Sequence, residues 1–122
     1  MKLDPLTGLD DAKKPLRSKL LAVPALRKRY LENIHTLAEK DLDWKNLGPV
    51  VAGYRELAGK EVAADTRKTS TIAEFENLTS DEPRETEAPR GFGHGGMPLK
   101  AFAEQRRAYL LSLPETTALQ GK

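Results

Sequence analysis

Apolar residues recur at helical spacing between residues 24 and 40, and this pattern constrains the fold more than any other feature. The recurring positions follow one another at steps of four, four and three residues: Leu26, Tyr30, Ile34 and Leu37. Such spacing places the side chains on one side of a helix, and Leu31 and Ala38 widen this stripe. No segment alternates convincingly with the period of two that a half-buried strand requires. The sequence therefore predicts an all-α protein, a small bundle of about four to five helices.

Proline residues mark the predicted helix ends. Pro15, Pro24 and Pro98 suit the first position of a helix, where a backbone N–H would have no intrahelical acceptor in any case. Pro24 also disfavours helical geometry at the residue before it, which separates a first helix over PLRSKLLA from the second. Pro114 ends the last predicted helix.

Local signals define a third and a fourth helix. The third covers LGPVVAGYRELAGKEVAAD, and Pro49 is compatible with it only in the first turn. Asp43 is predicted to cap a separate turn that contains Trp44. Thr71 and Glu74 have the spacing of a capping box, which predicts a short fourth helix.

These signals divide the chain into five parts. Residues 1–14 are predicted to be an extended N-terminal arm, and residues 15–78 a helical core. Residues 79–96 are rich in Pro, Gly and charge, so we expect a flexible linker there. Residues 97–114 are expected to form a C-terminal helix that packs on the core, and residues 115–122 a frayed tail.

The stretch GFGHGG matches the spacing G-x-G-x-x-G, with glycines at Gly91, Gly93 and Gly96. A dinucleotide site of this kind needs a strand before the glycines and a helix that opens on the last one. The preceding residues, ETEAPR, are not a buried strand, and the next helix begins only at Met97-Pro98. We therefore interpret the glycines as linker. An autonomous enzyme with a nucleotide on this loop is the weakest of three hypotheses.

Residue types that carry catalysis are scarce. The chain has no cysteine, and its two histidines are His35 and His94. Neither histidine has carboxylates or histidines at metal-ligand spacing around it. Asp41 and Asp43 resemble an acid/base pair only superficially, because a turn before Trp44 favours helix capping. We predict no catalytic residue, no metal site and no cofactor bound by this chain.

Basic residues cluster near the N-terminus, although the net charge is only +2. The cluster contains no acid and consists of Lys13, Lys14, Arg17, Lys19, Arg27, Lys28 and Arg29. Mild net charge and the lack of interleaved aromatics argue against nucleic acid as the partner, so we predict a solvated or partner-facing surface. No stretch approaches the roughly 20 apolar residues of a membrane span, and no signal peptide is recognisable. The sequence does not indicate a compartment.

Charged residues follow the third helix in the sequence AADTRKTS. Asp65, Arg67 and Lys68 lie where cations favour the negative end of the helix dipole, which predicts C-capping. A second interpretation is that Arg67 and Lys68 contact a substrate phosphate or a neighbouring domain.

Several segments in fixed order resemble the C-terminal helical part of CotH-like proteins, the spore coat protein H-type atypical kinases and their bacterial relatives. The similar features are LLAVPALRKRYL, the Leu-Asp-Trp turn at 42–44, Asp65 with Arg67-Lys68, and Leu-Lys-x-Phe with Gln-Arg-Arg near the C-terminus. They cover almost all of residues 3–113. Their order and spacing, rather than any single motif, carry the resemblance.

The resemblance implies a part of an ATP-dependent protein kinase of divergent architecture. It implies that the nucleotide-binding lysine and the metal-binding aspartates lie before this helical region, so that ATP and Mg²⁺ belong to the full-length protein only. It assigns no catalytic residue to this chain. Lobe or partner contacts are expected at Arg27, Tyr30, Trp44, Asp65, Arg67, Lys68 and Arg106.

Two functions remain open beside the enzyme hypothesis. The first is a non-catalytic structural or interaction segment of a CotH-like kinase, whose partner is the missing kinase-like half or another protein. The second is a free-standing helical binding module with a basic face for nucleic acid or an acidic protein. The second predicts binding that weakens steeply with salt.

Overall fold

The computed structural model describes residues 2–9, 11–84 and 96–117. Helices and turns without any strand make up these residues, so the prediction of an all-α protein is confirmed. The helices are α1 (Pro15–Ala22), α2 (Pro24–Thr36), α3 (Trp44–Ala64), α4 (Ile72–Leu78), α5 (Leu99–Leu111) and α6 (Pro114–Thr117). A π-helical turn over Leu37–Asp41 continues α2.

Local chemistry sets several helix ends as predicted. Pro15 and Pro24 are the first residues of α1 and α2. Val23 between them is extended, with φ −79° and ψ 116°, which is the geometry that a following proline favours. At the start of α4 the Thr71 hydroxyl accepts a hydrogen bond from the backbone N–H of Glu74 at 3.1 Å. This is the Thr71 half of the predicted capping box.

The start of α3 differs from the prediction. The Asp43 carboxylate accepts a hydrogen bond from the backbone N–H of Lys45 at 3.0 Å, so Asp43 caps α3 itself and Trp44 is its first residue. Pro49 consequently lies in the second turn of α3, inside the helix. The expectation that Pro49 requires a first-turn position is wrong here, because the cap at Asp43 starts the helix upstream of Leu47. The carbonyl of Lys45 loses its usual intrahelical donor as a result.

The chain divides into two units. Unit 1 comprises Met1–Leu42 with Gln105–Lys122, and unit 2 comprises Asp43–Glu104, so that the boundary falls inside α5. In unit 1, α1 and α6 both pack on α2. The buried apolar side chains of unit 1 are Leu21, Leu31, Ala38 and Leu110. In unit 2, α3 contacts α4, and Ala103 is the buried apolar side chain among the described residues.

The apolar stripe predicted for α2 is buried in part. Leu31 and Ala38, which widen that stripe, are buried, whereas Leu26 and Leu37 within it are each 42% exposed. Periodicity locates the apolar residues of a helix but not the elements that cover them.

The N-terminal segment consists of turns, whereas the sequence predicts an extended arm. The Asp4 carboxylate accepts from the backbone N–H of Leu6 at 2.7 Å, and the Asp4 carbonyl accepts from Thr7 at 3.0 Å. Gly8 has φ +80°, a conformation that glycine adopts without strain. Short-range capping by aspartate therefore replaces the extended conformation.

Both predicted flexible segments are described only in part. Most of the predicted linker, residues 85–95, lies outside the described residues, as do residues 118–122 of the predicted tail. The described start of the linker is held by Asn77, whose side-chain amide donates to the Arg84 carbonyl at 3.2 Å and accepts from the Arg84 N–H at 2.8 Å. Pro114 does not simply end a helix, because it is the first residue of α6.

Candidate functional site

The residues predicted to make lobe or partner contacts fall into both units. Unit 1 contains Arg27, Tyr30 and Arg106, and unit 2 contains Trp44, Asp65, Arg67 and Lys68. Their surroundings are therefore described one unit at a time.

The N-terminal turns of unit 1 are fixed by side chains of α1 and α2. The buried Pro5 presents its carbonyl oxygen to the Tyr30 hydroxyl, which donates at 2.9 Å, and to Nη2 of Arg17. A backbone carbonyl oxygen has two lone pairs, and here it accepts one hydrogen bond from a side chain of α1 and one from a side chain of α2. The sequence analysis did not single out Arg17 as a site residue. Its position four residues before the buried Leu21 is the signal that it faces inward.

Arg106 of α5 binds the same N-terminal segment at Leu3, two residues before Pro5. Its Nη1 donates to the carbonyl oxygen of Leu3 at 2.6 Å, across 103 positions of sequence. The guanidinium carbon also lies 5.4 Å from the centroid of the Tyr109 ring, within cation–π range. We call Arg17, Tyr30 and Arg106, together with the carbonyls of Leu3 and Pro5, the N-terminal clamp.

Arg27 belongs to the first turn of α2 and is half-buried. Its backbone N–H donates to the Val23 carbonyl at 3.0 Å, which closes the first turn of the helix after Pro24. A partner contact through its side chain stays a prediction.

Trp44 is the centre of the polar contacts in unit 2. Its indole Nε1 donates to the Asp81 carboxylate at 2.7 Å, and Nζ of Lys100 donates to the Asp81 backbone carbonyl at 3.0 Å. Gly48, one turn along α3, is buried beneath the indole. A Cβ at Gly48 would lie 3.0 Å from Nε1 and 3.4 Å from the Asp81 carboxylate. A side chain at Gly48 would therefore crowd both partners of the Trp44–Asp81 hydrogen bond.

The charged residues after α3 cap its C-terminus. Nζ of Lys68 donates to the carbonyl of Asp65 at 2.7 Å and to that of Ala63 at 3.3 Å. The Asp65 carboxylate accepts from the backbone N–H of Arg67 at 2.7 Å. The capping interpretation is confirmed for Lys68, which satisfies carbonyls at the negative end of the helix. A phosphate or domain contact by Arg67 or Lys68 stays a prediction.

An open groove of about 1060 Å³ lies beside α3 and α4 in unit 2. Small residues of α3 form one wall, namely Ala52, Gly53, Gly59 and Ala63. Ile72 and Phe75 of α4 form the other wall, and the charged lining residues are Arg55, Glu56 and Glu76. No Cβ built at either glycine would meet an atom within 4 Å, so both face open space.

Two other predicted features are described only in part. Within residues 2–9, 11–84 and 96–117, no group of three or more acidic or histidine residues is close enough to hold a metal ion. His35 Nδ1 lies 3.8 Å from a carboxylate oxygen of Glu39, and His94 lies outside the described residues.

The glycine motif also lies mostly outside the described part of the chain, which includes only Gly96 of its three glycines. A Cβ at Gly96 would lie 3.1 Å from a methyl carbon of Leu78, so the lack of a side chain at Gly96 leaves room for Leu78.

No helix in the described part of the chain is both long and apolar enough to cross a membrane. Family models, curated proteins and solved structures were compared with the chain, and none of them matches it.

Proposed function

We propose that this chain is a non-catalytic helical scaffold segment of a CotH-like protein kinase. The proposal rests on the hydrogen bonds that are made by the residues resembling the family pattern. Tyr30 and Arg106 hold the backbone of the N-terminal turns, Trp44 holds Asp81, and Lys68 caps α3. Side chains engaged in this way shape a surface for a neighbouring domain rather than act on a substrate.

Exposed apolar side chains on α3 give the scaffold a surface for such a neighbour. Val50, Tyr54 and Leu57 follow one another at steps of four and three residues, on one side of the helix. Tyr54 is 68% exposed and Leu57 is 77% exposed. Large apolar residues aligned on one exposed side of a helix are typical of an interaction surface.

ATP and Mg²⁺ would bind to the kinase-like region and not to this chain. Phosphoryl transfer depends on positioning and on metal-assisted stabilisation of charge, which needs a phosphate-binding loop, a lysine and metal-binding aspartates. In the proposed arrangement the helical segment keeps that region in its folded, active conformation.

A chimera tests the proposal. The C-terminal helical segment of an active CotH-like kinase is replaced by this chain, and transfer of labelled phosphate from ATP to an acceptor protein is measured with Mg²⁺. We expect the chimera to transfer phosphate and the isolated chain to transfer none. Label transfer by the isolated chain contradicts the proposal, and so does a folded chimera without activity.

A matched pair of variants sharpens the same experiment. Tyr30→Phe combined with Arg106→Met removes two side-chain donors of the N-terminal clamp, whereas Lys45→Met combined with Lys60→Met alters two exposed side chains of α3 outside the apolar surface. We expect the clamp variant to lower the thermal stability and activity of the chimera, and the control to leave both near wild type. Equal effects would show that the clamp has no special role.

A further inference from the structure

The open groove of unit 2 lies between two walls that each belong to a single helix. On α3, its lining extends from Pro49 to Ala63, which is a length of roughly 21 Å. On α4, Ile72, Phe75 and Glu76 occupy the i, i+3 and i+4 positions of one face. All of the lining residues lie within unit 2. The groove is therefore one continuous surface of that unit.

Small residues of α3 leave the groove open. No Cβ built at Gly53 or Gly59 would meet an atom within 4 Å, so neither glycine is explained by packing within the described part of the chain. A glycine inside a helix costs about 1 kcal/mol relative to alanine. Glycine permits the close approach of a backbone or a ligand. A helix laid in the groove could approach α3 to an interaxial distance of about 8 Å.

The polar groups of the groove are mainly acceptors. Exposed carboxylates of Glu56 and Glu76 line it, and neither forms an ion pair with a described residue. Arg55, the lining cation, is half-buried, and its Nη1 donates to a backbone carbonyl of the same unit at 3.5 Å. Pro49, another lining residue, leaves the carbonyl of Lys45 without its usual intrahelical donor. An occupant of this groove therefore needs donors and positive charge.

The acidic character extends beyond the lining residues. The sequence from Thr71 to Glu82, which contains the α4 wall, has four acids and no lysine or arginine. Lys60 follows Glu56 by one turn of α3, but it neither lines the groove nor lies within ion-pair distance of Glu56. The groove is thus acidic where it faces solvent.

We infer that this groove docks a basic amphipathic helix of a partner protein. Apolar side chains at i, i+3, i+4 and i+7 of such a helix would enter between the small residues of α3 and the wall formed by Ile72 and Phe75. Lysine or arginine on its flanks would face Glu56 and Glu76, and complementary charge of this kind sets specificity and the rate of association. A helix of about 15 residues is long enough to cover the part of α3 that lines the groove.

The same lining disfavours other classes of ligand. Like charge repels the phosphate groups of nucleic acids and of anionic lipids from the two carboxylates. A polyamine would neutralise the carboxylates but leave Ile72 and Phe75 uncovered. An extended peptide commonly binds by pairing with the edge of a sheet, and the described part of the chain contains no strand.

The inference goes beyond the proposed function and does not depend on it. At about 100° per residue, Ala52 and Gly59 lie on the side of α3 roughly opposite Tyr54, so the groove is separate from the exposed apolar side chains of this helix. Binding in the groove requires no kinase-like region and is measured with the 122-residue chain alone. An inactive chimera would leave this binding intact, and a failed binding experiment would leave the chimera active.

Titration of two synthetic peptides tests the inference. Both are helical peptides of about 15 residues with leucine at i, i+3, i+4 and i+7. One has lysine on its flanks, and the other has glutamate at the same positions. Fluorescence anisotropy of the labelled peptide measures binding to the full chain. We expect the lysine peptide to bind at least about tenfold more tightly, with an affinity that falls as added salt screens the charges.

Charge-matched variants locate the site. Glu56→Lys with Glu76→Lys reverses the two carboxylates of the groove, and Glu61→Lys with Glu104→Lys reverses two exposed acids of unit 2 outside it. Both pairs change the net charge equally. We expect the first pair to weaken binding of the lysine peptide about tenfold and the second to weaken it less than about twofold.

A filled groove gives an independent test. Gly59→Leu places a side chain in the groove, and Ala64→Leu places the same side chain on an exposed position of α3 outside it. Leucine favours a helix more than glycine does, so the thermal stability of Gly59→Leu should not fall. We expect Gly59→Leu to weaken binding of the lysine peptide about tenfold and Ala64→Leu to leave it unchanged.

A single thiol reports whether the groove is already occupied. The chain contains no cysteine, so Gly59→Cys introduces one thiol at a position that faces open space. We expect it to react with a thiol reagent as an exposed cysteine does, and the lysine peptide to slow the reaction in proportion to its occupancy. Slow reaction without the peptide would mean that the chain covers the groove itself, or that a second copy does if the rate rises on dilution.

Five outcomes overturn the inference. They are no binding of the lysine peptide, equal affinity for the two peptides, equal loss from the two charge-reversal pairs, undiminished binding to Gly59→Leu, and slow reaction of Gly59→Cys in the absence of peptide.

Discussion

Unit 1 and unit 2 are stabilised in different ways although both are helical. Unit 1 buries Leu21, Leu31 and Leu110, and its clamp hydrogen bonds add to a core that is already closed. In unit 2, Ala103 is the buried apolar side chain among the described residues. The larger apolar residues of unit 2 are half-buried or exposed, and its long-range contacts centre on the Asp81 carboxylate and carbonyl.

This difference indicates where the stability of the chain lies. Burying a leucine side chain contributes roughly 1.5 to 3 kcal/mol, whereas a typical hydrogen bond contributes a net of roughly 0.5 to 1.5 kcal/mol. We therefore expect unit 1 to have the larger share of the free energy of unfolding. In unit 2, Val50, Tyr54 and Leu57 are exposed.

The largest expected effect separates a core leucine from an exposed one. Leu31→Ala removes a side chain that is 7% exposed, and we expect it to lower the free energy of unfolding by about 3 kcal/mol. Leu57→Ala should change it by less than about 0.5 kcal/mol. Urea denaturation followed by circular dichroism measures both. Similar losses from the two substitutions would remove the distinction between the units.

Removal of the Asp81 carboxylate has the next largest effect. Asp81→Ala deprives the Trp44 indole of its acceptor at 2.7 Å, and we expect a loss of about 1.5 kcal/mol from unit 2. Trp44 is the single tryptophan, so its fluorescence emission should shift as the indole loses this contact. Glu82→Ala, a neighbouring exposed acid, is the control. An unchanged emission spectrum in Asp81→Ala would show that the hydrogen bond does not form in solution.

Replacing two glycines of α3 by alanine should change the stability of the protein in opposite directions. Gly53→Ala faces open space and should stabilise the helix by about 0.5 to 1 kcal/mol. Gly48→Ala should lose that gain and destabilise, because its Cβ would lie 3.0 Å from the rigid indole. Thermal melts of the two variants measure the difference. A stabilising Gly48→Ala would mean that Trp44 has room to move away.

The smallest effect comes from one donor of the N-terminal clamp. Tyr30→Phe removes the hydroxyl that donates to Pro5, while Arg17 still donates to the same carbonyl, so we expect a loss of about 0.5 to 1 kcal/mol. Faster hydrogen exchange at the Leu6 and Thr7 amides should accompany it. Tyr54→Phe, on an exposed residue, should leave both quantities unchanged. If those two amides exchange equally fast in both variants, the Tyr30 bond does not hold the turns.

The sequence predicts features that depend on neighbouring residues better than those that depend on distant ones. Pro15, Pro24 and Thr71 act within one helical turn, and the helix ends that they specify are present. Periodicity within α2 does not show which part of its apolar stripe is buried, because that depends on the elements that pack on it, α1 and α6. The position of Pro49 within α3 was predicted wrongly, because the cap at Asp43 starts the helix upstream of the predicted start.

The same reasoning explains what was predicted of the candidate sites. Tyr30, Trp44 and Arg106 were expected to make lobe or partner contacts, and the acceptors that they have in the structure lie 25, 37 and 103 positions away in the sequence. Lys68 was the exception, because its acceptors lie within five residues.

Hydrogen exchange of the intact chain, followed by mass spectrometry, tests most directly whether stability is concentrated in unit 1. We expect the amides of α2 around Leu31 and those of α5 around Leu110 to exchange slowest, and the amides of α3 and α4 to exchange at least about tenfold faster. Exchange in α3 and α4 as slow as in α2 would contradict the proposed division of stability.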